Sequence, residues 1–271
     1  MISNTKLLQF VTAFLLFIGL ADMKATAQVV ENPKEMCDLL NRIGGEGTAE
    51  RIATTIDPSV ASAGREAFVL TSQDGKPCIK GSNVSALTTG INWYLNHYAH
   101  VNIAWNNLTT DLSQVEFPVP TKQEKHSTTV GYRYYLNYCT FSYSMSTWTW
   151  ERWQKEIDWM ALHGINMPLQ IVGLDVVWQK LLTQDLGYTD DEANAFIAGP
   201  CFQAWWGMNN LQGWGGKNPA WWYKRQEALA KKILSREREL GMEPVLPGYA
   251  GMVPSDIAKK GYSANNQANC C

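Results

Sequence analysis

The residues of this chain best suited to chemistry are aromatic and polar rather than nucleophilic. Twelve Trp are present, and most of them fall between Trp148 and Trp222. Indole rings stack on the apolar faces of pyranose rings, so this density fits a carbohydrate-binding surface. Large rings that simply fill a core would give the same composition. The six Cys (Cys37, Cys78, Cys139, Cys201, Cys270 and Cys271) form no C-x-x-C pair, and no His stands at a metal-ligand spacing. That pattern argues against zinc, and no metal is expected. Cys37 and Cys78 are candidates for a bridge, although sequence leaves the connectivity open. Glu151, Glu156 and Asp158 share one helical stretch with Arg152 and Lys155, the pattern of a solvated helix face. Asp175 follows a strand-like run closely, where barrel enzymes keep functional side chains. His163 precedes Gly164 at a helix end, where a positive charge is favourable.

Two textures of sequence must position these residues. From Gln28 to Pro120 the elements are short and read as a small α/β domain. Asn32 caps a helix with Pro33 at its first position, and Met36, Leu39, Leu40 and Ile43 form its apolar face before Gly44-Gly45. Arg51–Thr55 and Ala67–Thr71 read as strands, the second followed by an Asp74-Gly75 turn. Leu87, Ile91, Tyr94 and Leu95 mark an amphipathic helix over Ser85–Tyr98. Pro118, Pro120 and the polar run 121–128 read as a linker.

Residues 129–260 alternate strand and helix. Strands are expected at Gly131–Tyr138, Asn166–Val172 and Glu243–Pro247. Helices are expected at Thr149–His163, Leu174–Leu186, from Asp190 onward with a Thr189/Glu192 capping box, and from Asn218-Pro219 to Leu240. The stretch 201–218 reads as a long Trp-, Gly- and Asn-rich loop. Repeated βα units argue for a parallel sheet. The first strand ends in Asn137-Tyr138-Cys139 rather than in the G-x-G-x-x-G of a dinucleotide fold, which favours a barrel with chemistry at the C-terminal strand ends. The fold class is therefore α/β: a small N-terminal domain, then about three βα units of an incomplete TIM (β/α)₈ barrel.

Lys6, the apolar run Leu7–Leu20 and Ala25-Thr26-Ala27 read as a signal peptide over residues 1–27. The run is shorter than the ~20 residues a spanning helix needs. The expected location is exported (periplasmic, extracellular or lysosome-like), with no membrane attachment after cleavage. Net charge is −2 with acids and bases scattered, so no nucleic-acid partner is expected.

Three blocks of sequence carry a specific resemblance. Tyr132-Arg-Tyr-Tyr-Leu-Asn-Tyr-Cys-Thr-Phe-Ser-Tyr-Ser144 continues into Trp150-Glu-Arg-Trp-Gln-Lys-Glu-Ile-Asp-Trp-Met-Ala-Leu-His-Gly-Ile-Asn166. Gly199-Pro-Cys-Phe-Gln-Ala-Trp-Trp-Gly-Met-Asn-Asn-Leu211 and Gly241-Met-Glu-Pro-Val-Leu-Pro-Gly-Tyr-Ala-Gly-Met-Val-Pro254 complete the set. They resemble the α-N-acetylglucosaminidases of glycoside hydrolase family 89. The resemblance implies a small α/β domain, a (β/α)₈ barrel and a helical C-terminal domain. It implies retaining hydrolysis of terminal non-reducing α-linked N-acetylglucosamine (GlcNAc) on glycans, without cofactor. Asn137, Cys139 and Trp205 match family residues that line the sugar pocket; Trp206, Asn210 and Trp214 share the loop of Trp205. Read without the motif, Cys139 is a small buried hydrophobe, and Trp205 fits core packing as well as it fits a pocket.

Retention requires two carboxyl groups roughly 5 Å apart, and in the family both are Glu on later barrel strands. No counterpart follows Pro254, and residues 261–271 lose the family pattern. The expectation is a chain that stops short of its catalytic pair and is inactive alone. The alternatives are a non-catalytic carbohydrate-binding protein and a non-functional fragment with open strand edges.

Overall fold

The computed structural model describes residues 28–262. The stretch 1–27 read as a signal peptide, nearly all of the tail 261–271, Cys270 and Cys271 lie outside them. Among the described residues no helix is long and apolar enough to cross a membrane.

The first region is a mixed five-stranded sheet with two helices. β1 (Val30–Glu31) leads into α1 (Lys34–Gly44), followed by β2 (Ala53–Ile56), β3 (Ala67–Gln73), β4 (Lys76–Gly81), α2 (Val84–His97) and β5 (Glu124–Ser127). The strand order is β1-β2-β4-β3-β5; only the β2–β4 pair is parallel. The β3–β4 hairpin turns through Asp74 and Gly75, both at positive φ (51° and 74°), as a two-residue primed turn requires. The predicted apolar faces of both helices are buried against Leu70 and Ile79 of the sheet. Gly90 lets α2 sit close, since a Cβ there would lie 2.8 Å from Ile79 and 2.9 Å from Phe68.

Two expectations change here. Asn32 does not cap α1: its φ is +43°, and its side-chain oxygen instead accepts from the Thr54 backbone N–H at 3.0 Å. The N-cap is Pro33, which offers no side-chain acceptor. The run 121–128 is not simply a linker. Glu124–Ser127 pairs with Ala67–Leu70 and closes one sheet edge; its polarity is that of an edge strand exposed on one side.

In the second region three parallel segments alternate with helices. They are β6 (Tyr134–Tyr135), α3 (Trp150–Leu162), β7 (Met167–Pro168), α4 (Leu174–Lys180), α5 (Asp190–Phe196), α6 (Gln203–Gly207) and α7 (Ala220–Glu239), then a third segment at Val245. β6 pairs with β7 in parallel, and Leu169 bridges Val245 in parallel. The barrel is not closed among the described residues. The strands are shorter than the sequence pattern predicts, and Pro168 explains part of this. Asn166 and Pro168 accept from Glu243 and Val245, and Gln170 donates to Val245. Pro168 has no N–H to return, so the ladder to the third segment loses a rung. Helix ends follow expectation: Gly164 and Gly241 have φ of 74° and 75°, and the Thr189/Glu192 capping box is formed.

One apolar core runs from Met36 to Met242 through both regions. Polar contacts cross the same boundary. Arg42 of α1 makes a two-pronged pair with Asp158 of α3 at 2.8 and 2.7 Å. Thr88 of α2 donates to the Ala161 carbonyl at 2.8 Å, and Arg133 pairs with Glu66. A second, aromatic-rich core joins α4 to α7 through Val176, Phe196, Trp206 and Trp222.

Candidate functional site

β6 delivers its chain to the C-terminal side of the parallel segments, where barrel folds concentrate chemistry. Leu136 is buried and anchors the exit; Asn137, next along, is exposed. The Asn137 side-chain oxygen accepts from the Cys139 backbone N–H at 3.0 Å, an Asx turn that fixes the bend. The Cys139 carbonyl then accepts from the Ser142 N–H at 3.1 Å, opening one π-helical turn over Phe141–Met145. Phe141 and Met145 are buried, so Tyr143 between them is driven outward and is 77% exposed.

Trp205 arrives from α6. That helix is only five residues long and cannot hold itself in place. Three contacts do so. Buried Ser142 accepts from the Ala204 N–H at 3.0 Å. Gln203 donates to Asp175 Oδ2 at 2.8 Å. Trp206, fully buried, wedges between Trp178 and Phe196. Its neighbour Trp205 is left half-buried, 5.2 Å from the Tyr143 ring and nearly perpendicular to it at 89°. Gly207 allows the Tyr138 hydroxyl to approach closely, since a Cβ there would lie 2.7 Å from it.

Asn137, Cys139 and Trp205 are thus carried by two elements stitched together through Ser142 and Ala204. Trp206 belongs to the core and not to a pocket: consecutive helical residues point about 100° apart, and the other direction faces α4 and α5. Asn210 and Trp214 are exposed, with Trp214 against Phe202. Neither Ser142 nor Tyr143 stood out in the sequence, because a π-turn leaves no recognisable apolar period.

The acids are placed differently from expectation. Only Glu151 lies on a solvated face. Glu156 is fully buried and receives Trp105 Nε1 at 2.9 Å, the Tyr135 hydroxyl at 3.0 Å and Arg152 at 2.9 Å. Asp158 is held by Arg42, although its burial is strong enough to push the carboxyl above the usual range. A periodicity argument misses both, since their partners lie on other elements. Asp175 is 1% exposed and accepts from Trp222 Nε1 at 2.7 Å as well as from Gln203. Burial raises its carboxyl, and those two donors oppose the shift. It therefore positions α6 and α7 rather than facing a substrate. The His163 ring donates through Nδ1–H to the Trp159 carbonyl at 2.8 Å and stacks on the Trp159 ring.

Cys37 and Cys78 are not bridged. The Cys37 thiol lies 3.7 Å from the Asn32 carbonyl, and the buried Cys78 thiol 3.5 Å from Gln73. Among the described residues no cluster of His, Cys, Asp and Glu could hold a metal ion. A cavity of about 290 Å³ is lined by Glu66, Trp93, His126, Arg133 and His163. It lies where β6 and β7 begin, away from Asn137 and Trp205, and its Arg133 is already committed to Glu66, Ser85 and the Gly164 carbonyl.

Residues 34–119 match the model of the alpha-N-acetylglucosaminidase (NAGLU) N-terminal domain, and residues 133–269 that of the NAGLU tim-barrel domain. The chain belongs to the alpha-N-acetylglucosaminidase family. It is 36% identical to human alpha-N-acetylglucosaminidase over 227 residues, which is 82% of this chain and 30% of that protein. A family 89 glycoside hydrolase from Clostridium perfringens, solved with 2-acetamido-1,2-dideoxynojirmycin, superposes with a TM-score of 0.75 at 32% identity. That match covers 85% of this chain and 26% of the enzyme. A substituted form of the Clostridium enzyme, solved with its substrate GlcNAc-alpha-1,4-galactose, gives the same values. This member of the family thus spans about 30% or less of the length of these relatives.

Proposed function

We propose that this chain forms part of a retaining glycosidase that removes terminal non-reducing α-linked GlcNAc from glycans, and that it supplies one wall of the sugar pocket. In this reading Trp205 stacks on the GlcNAc ring. The Asn137 amide meets adjacent hydroxyls with both donor and acceptor groups, and Cys139 packs against the sugar edge. The observation that carries it is the tie between the turn holding Asn137 and Cys139, at the C-terminal exit of β6, and the helix holding Trp205, through the Ser142–Ala204 hydrogen bond of 3.0 Å. Membership of the family and the substrate seen in the Clostridium enzyme support the choice of sugar.

The nucleophile and the acid/base are supplied from outside the described residues in this proposal. The buried acids Glu156, Asp158 and Asp175 are each committed to structural donors. The reading includes export through residues 1–27. The test is equilibrium titration of the chain with GlcNAc. Saturable binding that Trp205→Ala weakens at least several-fold is expected. Binding that is absent, or indifferent to Trp205→Ala, overturns it.

A further inference from the structure

We propose that Gln28 is a modification site: once residues 1–27 are removed, it closes on itself into a pyroglutamyl lactam that blocks the open end of the outer strand β1. The inference rests on the export included in the reading just given and goes beyond it, from where the chain is cut to what the new end becomes.

Ala25-Thr26-Ala27 places small residues where a signal peptidase cuts, so that Gln28 becomes the first residue. A cut one residue earlier leaves Ala27 first, and alanine has no side chain that can close. A glutamine inside a chain has its backbone nitrogen tied up in a peptide bond. At the first position that nitrogen is a free amine with an ordinary pKa of about 7.7–8.0, so part of it is uncharged and nucleophilic at neutral pH. It attacks the Cδ of its own side chain. The N–Cδ bond forms and the Cδ–Nε2 bond breaks. One proton passes from the amine to the departing nitrogen, and ammonia leaves. No oxidant or cofactor enters. Both groups sit on one residue and the ring has five members, so proximity favours closure.

The fold leaves Gln28 free to react. It is exposed and lies outside any strand or helix. Val29 and Val30 are 51% and 42% exposed. The first rung of β1 joins Val30 to Ile56, and the ring uses only atoms of Gln28, so closure disturbs no pairing. The other end of β1 is tied down. The Asn32 N–H donates to the Thr54 carbonyl at 2.7 Å, and the Asn32 side-chain oxygen accepts from the Thr54 N–H at 3.0 Å. β1 is thus a two-residue outer strand held at one end and open at the other. It covers β2, whose own edge would otherwise face solvent. An aminopeptidase needs a free α-amine, and the exposed run 28–30 leads it straight to this strand. The lactam removes that handle together with its charge.

The test is to express the full 271-residue chain in a secreting bacterial host and to determine the exported product by intact mass and N-terminal sequencing. The expected product is residues 28–271 lighter by one ammonia. It should be blocked to sequencing until a pyroglutamyl peptidase removes the ring, after which Val29 reads first. Gln28→Ala should be cut at the same place and keep an open amine. It should then lose residues to a broad-specificity aminopeptidase under conditions in which the parent loses none. A Gln28 amine that stays open through incubation at neutral pH overturns the lactam and leaves the export reading standing. Equal trimming of the parent and of Gln28→Ala overturns the protective role. A product that begins elsewhere, or that retains residues 1–27, overturns the export reading and this inference with it. Mass and sequence report the end of the chain whether or not a variant folds.

Discussion

The five-stranded sheet and the barrel segments share a core but bury different chemistry. Among the described residues the buried polar side chains of the first region are all hydroxyls: Thr48, Thr54, Thr55, Ser85 and Thr88. The second region buries four carboxylates, Glu156, Asp158, Asp175 and Glu237, each 3% exposed or less, together with Gln170, Gln203, Asn218 and Gln226. Strand length accounts for the contrast. In the small domain, ladders of up to six residue pairs tie the elements together, and aliphatic burial does the rest. In the barrel part β6 and β7 are two residues each, so side chains reaching between helices must fix what the backbone does not. Buried charges are costly unless paired. Asp175, held by Gln203 beside Trp205, indicates that the short helix carrying Trp205 is set by a specific donor as well as by packing.

The largest expected effect tests whether all four carboxylates are compensated. Glu237 has an oxygen with no partner, and burial pushes its carboxyl up to about 8. The folded protein therefore keeps a proton that the unfolded chain sheds near its ordinary value of about 4.3. Between those two values stability must fall as pH rises, by about tenfold in the folding equilibrium per pH unit, and become flat above about 8. Chemical denaturation from about pH 5 to pH 9 should show this slope, and Glu237→Gln should make it shallower, leaving the part that the raised Asp158 and Asp175 carboxyls contribute. A variant with the parental slope would place the buried proton elsewhere.

Next in size is the joint between the regions. Asp158→Ala leaves the Arg42 guanidinium largely buried without its partner, which costs about 3–5 kcal/mol. Replacing both residues by Leu should recover most of that loss. A single unfolding transition throughout would confirm that the regions unfold as one, and separate transitions would break the comparison into two independent units. Asp175→Ala should cost about 1–3 kcal/mol by orphaning the Trp222 and Gln203 donors. It should also weaken GlcNAc binding through the displaced α6, whereas Asp175→Asn, which keeps an acceptor, should do less of both.

Much of this architecture was legible in the sequence where the period was long and local. The apolar faces of α1 and α2, the Asp74-Gly75 turn, the glycine stops at Gly164 and Gly241 and the Thr189 capping box are signals within one element. Parallel order among the barrel segments followed from alternation alone. What was not legible depends on partners distant in sequence. Glu156 and Asp158 sit at helix positions that read as solvated, and partners distant in sequence, Trp105 and Tyr135 for Glu156 and Arg42 for Asp158, go with their burial. The strand at Glu124–Ser127 is polar because one face is open, so it reads as a linker until Ala67–Leu70 is seen beside it. For the site, the family motif singled out Asn137, Cys139 and Trp205, but neither Tyr143 nor the joint at Ser142 carries any spacing a reader could count.

The smallest effect compares one deletion in the two regions. Asn83 caps α2, its side-chain oxygen accepting from the Ala86 N–H at 2.8 Å. Thr189 caps α5, accepting from the Glu192 N–H at 3.2 Å while Glu192 reaches back to the Thr189 N–H at 2.8 Å. Either cap replaced by Ala should cost about 1 kcal/mol. The consequences should differ, because α2 contributes Leu87, Ile91, Tyr94 and Leu95 to the shared core, whereas α5 buries only Ala193 and Phe196. Opening the first turn of α2 exposes residues on which the whole core depends, so Asn83→Ala should lower the global melting temperature. The first turn of α5 carries Asp190, Asp191 and Glu192 in solvent and can fray alone. Thr189→Ala should therefore accelerate amide exchange over residues 190–196 while the melting temperature moves little. Equal shifts in melting temperature would mean that α5 is bound into the cooperative unit as tightly as α2, and that the barrel part owes less to its local polar contacts than its buried carboxylates indicate.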